Sequence, residues 1–195
     1  MKRILCALIF LLVPPVLQAG TISGKIMCRG LADYSNAVIY AEKLSGEKIP
    51  PPKAPAILDQ VNLTFIPHVL PVVVGTTVRF PNSDEVRHNV FSFSAAKLFN
   101  LGLYPRGASR QVIFDKPGEV ALLCNIHAEM SAYVLVLETP YFAVTAKDGN
   151  YNLKRLSPGS YQVTVWHERF KPVSQPLEIK GSEDILLDLE LIHQR

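Results

Sequence analysis

Along most of the chain, apolar and polar residues alternate with a period of two. Such alternation is typical of β-strands that bury one face. From Gly20 onward no stretch shows the 3.6-residue period of an amphipathic helix. The pattern predicts strands over residues 21–28, 36–42, 58–63, 69–74, 76–81, 89–93, 109–115, 119–125 and 131–138. Strands this closely spaced, with glycine- and asparagine-containing turns between them, indicate an all-β sandwich or barrel.

A proline-rich stretch, residues 49–56, interrupts this pattern. Proline has no amide hydrogen to donate, so these residues cannot lie in a sheet interior. We interpret them as a stiff, extended linker. It separates the first two predicted strands from the longer run of strands that follows.

Two short segments carry the candidate chemistry. Cys124, His127 and Met130 recur at three-residue intervals directly after an apolar, strand-like run, so they belong to one loop at a strand end. His88 lies upstream, and if it enters from a neighbouring strand the four side chains converge. Two imidazoles and a thiolate with a weak axial thioether form the ligand set of type 1, or blue, copper.

Other interpretations of these residues exist. A cysteine beside leucines is often a small buried hydrophobe, and a methionine nearby is usually part of a core. Zinc is the main competing metal, because it accepts a cysteine and both histidines. It has little use for a thioether, however, and structural zinc usually recruits a fourth cysteine or histidine. The combination at this spacing therefore favours copper.

Residues 65–137 resemble the cupredoxins, the plastocyanin- and amicyanin-like blue copper proteins. The resemblance is carried by residues 65–67, 74–80 and 114–118, by His88-Asn89-Val90, and by the Cys-x-x-His-x-x-Met spacing of residues 124–130. It implies one type 1 copper per chain, with His88, Cys124 and His127 as equatorial ligands and Met130 as the axial ligand. It also implies that Asn89 ties the two ligand segments together by hydrogen bonds. His127 would be the port through which the electron passes.

The two ends of the chain resemble a different family, the carboxypeptidase regulatory-like, or transthyretin-like, β-sandwich. The resemblance is carried by the turn segments 148–153 and 156–161 and by the strand-like segments 20–26 and 36–40. Residues 140–195 alone offer about four strands, which is a thin core for an independent domain. We therefore predict a sandwich split into residues 20–50 and 140–195, with a copper domain at residues 55–138 inserted at a loop. The predicted fold is a cupredoxin Greek-key sandwich inserted into, or joined to, a second small sandwich of immunoglobulin-like or transthyretin-like type.

The N-terminus has the pattern of an export signal. Lys2 and Arg3 precede a short apolar run and a small-residue exit at Ala19-Gly20. This run is too short to span a membrane, so we predict a signal peptide at residues 1–19. Its removal takes away two basic residues and no acid, so the formal charge falls from +3 to +1. A nearly neutral protein gives no electrostatic reason to expect nucleic acid binding.

Three residues outside the ligand set receive weaker predictions. Cys28 shares a strand face with apolar residues and is predicted to be a buried free thiol, although an oxidising compartment permits a disulfide with Cys124. His68 follows a proline in a turn-like position and is predicted to be a surface histidine. Trp166 ends a strand and is predicted to lie in a core or at its rim.

The function predicted from the sequence is one-electron transfer by a non-enzymatic copper protein in a periplasm. The chain is also similar to exported cupredoxins of the methylamine-utilisation type. Its partner would be a redox protein, a cytochrome or a dehydrogenase. Copper storage or delivery is the first alternative. A non-redox adhesive or carbohydrate-binding module with a structural metal is the second.

Overall fold

The computed structural model describes residues 19–46 and 49–192, and these residues form strands and no helix. The predicted all-β class is therefore confirmed. No helix in the described part of the chain is long and apolar enough to cross a membrane. In chain order the strands are β1 (Gly20–Cys28), β2 (Val38–Lys43), β3 (Ala56–Ile57), β4 (Asp59–Val61), β5 (Thr64–Ile66), β6 (Val69–Val73), β7 (Thr76–Pro81), β8 (His88–Ser94), β9 (Lys97–Tyr104), β10 (Ser109–Phe114), β11 (Gly118–Leu123), β12 (Ser131–Leu137), β13 (Phe142–Val144), β14 (Asn150–Leu156), β15 (Gly159–His167), β16 (Phe170–Ile179), β17 (Asp184–Leu186) and β18 (Leu189–Leu191).

The first two strands and the last six form one sandwich, which we call the outer sandwich. One of its sheets has the order β14-β1-β17, with β18 also paired to β1, and the other has the order β13-β2-β15-β16. Ile22 and Ile26 of β1 share one buried core with Tyr161 and Val163 of β15. Gly24 permits this packing, because a Cβ there would lie 2.1 Å from the carbonyl oxygen of Leu187. Strands from the two ends of the chain thus form one sandwich with a shared core.

The strands between β2 and β13 form the inner sandwich. Its larger sheet has the order β6-β12-β11-β8-β9, and it faces a smaller sheet, β10-β7-β3, with the β4-β5 hairpin alongside. Leu58, Phe80, Val90, Phe114 and Val134 are fully buried in its core. The chain leaves the outer sandwich after β2 and returns in β13, and these two strands pair antiparallel with Phe142 opposite Tyr40. The entry and exit points of the inner sandwich are therefore neighbours.

A third, smaller apolar cluster joins the two sandwiches, and we call it the junction. It contains Val38 and Trp166 of the outer sandwich and Val69, Leu135 and Leu137 of the inner one. The inner members belong to β6 and β12, which pair in parallel. The outer sandwich therefore packs directly on β12. The predicted boundaries near residues 50 and 140 fall between the sheets, and the independence of the two units stays a prediction.

The strand predicted at residues 58–63 was wrong in detail, and strands β3 and β9 were not predicted. The single strand predicted over residues 58–63 is a hairpin, because Asn62 and Leu63 both take positive φ angles, 49° and 56°, in the turn between β4 and β5. β9 was not predicted at all, because its apolar residues face both ways: Leu98 is 72% exposed, whereas Phe99 packs on the inner core. β3 lies at the end of the proline stretch and pairs at a sheet edge. The signal peptide predicted at residues 1–19 lies outside the described residues except for Ala19, and it stays a prediction.

Candidate metal centre

The four predicted ligands lie at one end of the inner sandwich. Cys124 follows β11 directly, and Met130 directly precedes β12, so the connection between these paired strands carries three of the four side chains. His88 is the first residue of β8, which is the other neighbour of β11. The sequence folds this way because two antiparallel ladders bring the end of β11 beside the start of β8. Leu123 pairs with Phe91 at that point.

Three of the four side chains are within reach of one metal ion. One ligand atom from each of His88, Cys124 and His127 lies within 4.8 Å of the other two. The Nδ1 atoms of His88 and His127 are 3.0 Å apart. Two nitrogens that bind one metal at about 2 Å lie roughly this far apart, so the pair is spaced for shared coordination. The donor set, soft sulfur and imidazole without an oxygen ligand, fits copper and not magnesium or calcium.

Asp84 fixes the state of the His88 ring. His88 is fully buried, and its Nε2 lies 2.9 Å from Oδ2 of Asp84. A carboxylate only accepts hydrogen bonds, so a neutral His88 ring carries its hydrogen on Nε2 and its lone pair on Nδ1, which faces the other candidate ligands. This is the tautomer that a metal bound at Nδ1 requires. A carboxylate in this position also makes the imidazole a stronger donor.

Asp84 is itself held in the ionised form. The backbone N–H of Leu63 donates to Oδ2 at 2.7 Å, and this contact is the main cause that lowers the pKa of Asp84 below its usual range. The His88 ring and the backbone N–H of Glu85, 2.8 Å from Oδ1, lower the pKa further against the opposing effect of desolvation. The β4-β5 turn thereby supports the ligand from outside its own segment. From the sequence pattern, Asp84 is expected only to lie in a turn. The one sequence signal that it supports a ligand is its position four residues before His88.

Asn82 fixes the connection that leads into His88. Its side-chain amide donates to the carbonyl oxygens of Val86 at 2.9 Å and Tyr104 at 3.1 Å. Its Oδ1 accepts from the backbone N–H of Asp84 at 3.0 Å. Tyr104 pairs with His88 across β8 and β9, and burial raises the pKa of its phenol to about 12, so it stays protonated. Both ends of the Asn82 side-chain amide are thus paired, which holds the segment before His88 in place.

Asn89 connects the two ligand segments, as the resemblance implies. Its Oδ1 accepts from the backbone N–H of Asn125 at 2.9 Å. Asn89 directly follows His88, and Asn125 directly follows Cys124. This hydrogen bond therefore joins the backbone next to Cys124 to the residue next to His88.

The ligand loop has a buried end and an exposed end. Met130 is 1% exposed and belongs to the inner core, and its backbone N–H donates to the carbonyl oxygen of His127 at 3.0 Å. Cys124 is 5% exposed. His127 is partly exposed, and Ile126 beside it is 50% exposed. Among the candidate ligands, only His127 thus reaches the protein surface.

Both described cysteines are free thiols, so the structure does not contain the disulfide that the sequence left open. Cys28 lies in the outer core and Cys124 in the inner core. The two thiols therefore belong to different sandwiches.

The comparisons with known proteins give partial likenesses to copper proteins. No protein-family model matches the sequence, and a search of curated proteins finds no match. Among solved structures, the chain is similar to a purple cupredoxin from Nitrosopumilus maritimus, at 26% identity and a TM-score of 0.39 over 42% of this chain and 99% of that chain. It is similar to a point mutant of amicyanin in the reduced state, at 19% identity and a TM-score of 0.41 over 50% of this chain and 99% of that chain. It is also similar to the copper-containing nitrite reductase of Thermus scotoductus SA-01, at 23% identity and a TM-score of 0.42 over 58% of this chain but only 28% of that chain. These likenesses are distant and partial. The two-sheet inner sandwich and its His-Cys-His group are features of this chain itself.

Proposed function

We propose that this protein is an exported carrier of single electrons that holds one type 1 copper ion per chain. His88, Cys124 and His127 would bind the metal as equatorial ligands, and Met130 as the axial ligand. The observation that carries the proposal is the convergence of the first three side chains within 4.8 Å. Copper, when bound, supplies reversible one-electron chemistry through its Cu(I) and Cu(II) states.

The surrounding residues favour electron transfer because they hold the donors in place. Asp84 orients the His88 ring from behind, and Asn89 fixes the backbone next to Cys124. Ligands fixed in this way move little when the charge on the metal changes, so the reorganisation that accompanies electron transfer is small. The same hydrogen bonds oppose release of the metal, which favours a carrier over a delivery protein.

The proposed ligand set would give an electron a path to the surface and would leave the metal no open coordination position. His127 is partly exposed, whereas the other three ligands are buried. Catalytic metal sites keep a coordination position open for water or substrate. Four protein donors on one copper ion would leave none, so we propose a carrier and not an enzyme. Its partner would be a periplasmic redox protein, a cytochrome or a dehydrogenase, that docks where His127 reaches the surface.

Repeated oxidation and reduction of the copper-loaded protein tests this function. Voltammetry through many cycles, followed by metal analysis of the protein and of the filtrate, measures whether copper stays bound. An electron carrier keeps its copper and its reduction potential in every cycle. Loss of copper to a competing chelator on each reduction would instead identify a storage or delivery protein. Cell fractionation, with the signal segment 1–19 present or removed, tests the proposed periplasmic location.

A further inference from the structure

A histidine outside the ligand set links the two sandwiches beside the ligand loop. His68 precedes β6 and was predicted to be a surface residue, but its side chain is only 29% exposed. Its Nδ1 lies 3.1 Å from the carbonyl oxygen of Ser131, and its Nε2 lies 3.1 Å from Oε1 of Glu168. Ser131 directly follows Met130, whereas Glu168 belongs to the outer sandwich, in the turn between β15 and β16.

Each ring nitrogen of His68 faces an acceptor, because a backbone carbonyl oxygen and a carboxylate oxygen both accept hydrogen bonds. The ring therefore reaches from the start of β12 to the outer sandwich. Glu168 thus orients the ring that contacts the Ser131 carbonyl.

Further contacts gather around the same point at the start of β12. The backbone N–H of Tyr133 donates to the carbonyl oxygen of His68 at 2.8 Å. The Tyr133 ring packs edge-on against His68 at 5.7 Å and against Trp166 at 5.6 Å between ring centroids. Burial and the nearby Glu168 charge raise the pKa of the Tyr133 phenol. The first residues of β12 are therefore held from the outer sandwich as well as by their own sheet.

A second polar contact across the junction lies farther from the loop. The indole N–H of Trp166 donates to Oε2 of Glu119 at 3.0 Å. Glu119 is near the start of β11, five residues before Cys124, a distance of about 16 Å along a strand. Both contacts join the two sandwiches through a glutamate, but only the one at Glu168 leads, through His68, to the residue after a predicted ligand. The chain thus offers a matched control.

We propose that Glu168 and His68 are positioning residues that fix the Met130 end of the ligand loop from the outer sandwich. Holding the Ser131 carbonyl fixes the backbone from which Met130 projects, and so fixes the thioether relative to the other three donors. The axial ligand of a blue copper site tunes its reduction potential. This inference rests on the proposed function and gives the outer sandwich a role in that function.

The test compares Glu168→Gln and His68→Phe with the control Glu119→Gln in the full-length protein. In the metal-free form, amide hydrogen exchange at Tyr133 should become faster by about tenfold in the first two variants, as loss of a hydrogen bond predicts. In the copper-loaded form, both should show a changed ratio of the thiolate-to-copper absorption bands and a higher reduction potential, since weaker axial donation favours Cu(I). Glu119→Gln should leave the exchange, the spectrum and the potential as in the unmodified protein.

Two results would overturn the inference. The first is an unchanged spectrum and potential in both Glu168→Gln and His68→Phe. The second is an equal shift in Glu119→Gln, which would mean that any loosening of the junction has the same effect. Either result leaves a blue copper protein, so it is distinguishable from failure of the proposed function, in which the unmodified protein would itself bind no coloured copper.

Discussion

The inner and outer sandwiches have the same two-sheet architecture but differ in the polar side chains that they bury. Each has two sheets around a core of fully buried aliphatic and aromatic side chains. The outer sandwich buries the imidazole of His167, whereas the inner sandwich buries a carboxylate, an imidazole and amides side by side, at Asp84, His88, Asn82 and Asn89. Burying such groups costs free energy unless every one is paired. A cluster of this kind is expected at a functional site, and it lies where His88, Cys124 and His127 come together.

The two buried thiols allow the sharpest comparison, because each sandwich contains one. Burial raises the pKa of Cys28, which keeps it protonated and a poor metal ligand. Cys124 lies beside two imidazoles instead. We expect Cys124→Ser to abolish the colour of the copper-loaded protein and Cys28→Ser to leave the colour unchanged, as visible absorption will show. Colour that persists in Cys124→Ser would mean that the thiolate at position 124 is not the ligand.

Large-to-small substitutions in the two cores test how far the sandwiches are independent. Leu58 is fully buried in the inner core and Leu153 is 2% exposed in the outer core. Replacing either by alanine should cost about 2–5 kcal/mol of stability in its own sandwich. In thermal melts followed by colour, Leu58→Ala should release copper at a clearly lower temperature than Leu153→Ala does. Identical shifts in the two variants would show that the chain unfolds as a single unit.

Substitution of Asp84 tests a residue that orients a ligand but is not itself a ligand. Asp84→Asn keeps the shape of the side chain but removes the charge that orients the His88 ring. Loss of such a supporting carboxylate typically lowers metal affinity by about 10–100-fold. Competition with a chelator should show a loss of this size for Cu(II), with the colour retained at saturating copper. Asp188→Asn, which changes a carboxylate of the outer sandwich that accepts from the backbone of Lys25, is the matched control and should leave the affinity unchanged.

A smaller effect should distinguish the response of the two sandwiches to acid. Burial lowers the pKa of His167 in the outer sandwich, so the unfolded chain binds a proton there at a higher pH than the folded protein does. The outer sandwich should therefore lose stability as the pH falls below about 6.5. The lowered pKa of Asp84 contributes stability that is lost only below about pH 4. Denaturant titrations at pH 7 and pH 5 should show a smaller loss for His167→Asn than for the unmodified protein, and an equal loss would contradict this assignment.

The parts of the molecule that could be predicted from the sequence are those set by local pattern. The alternation of apolar residues predicted β1, β2, β6, β7, β8, β10, β11 and β12 to within one or two residues. The spacing of Cys124, His127 and Met130 placed them in one loop. The missed features depend on contacts between distant segments. Asp84 supports the site because the N–H of Leu63 holds its carboxylate, and His68 bridges to Glu168, which is 100 residues away in the chain. Such partners leave no periodic signal in either segment.

Addition of Cu(II) to the metal-free protein tests the central claim most directly. The claim is that a thiolate, two imidazoles and a thioether at one end of the inner sandwich hold a single copper ion. Titration followed by visible absorption should produce an intense blue or green colour, from thiolate-to-copper charge transfer, that stops increasing at one copper per chain. A colourless copper complex, or a zinc ion bound so tightly that copper cannot displace it, would contradict the claim.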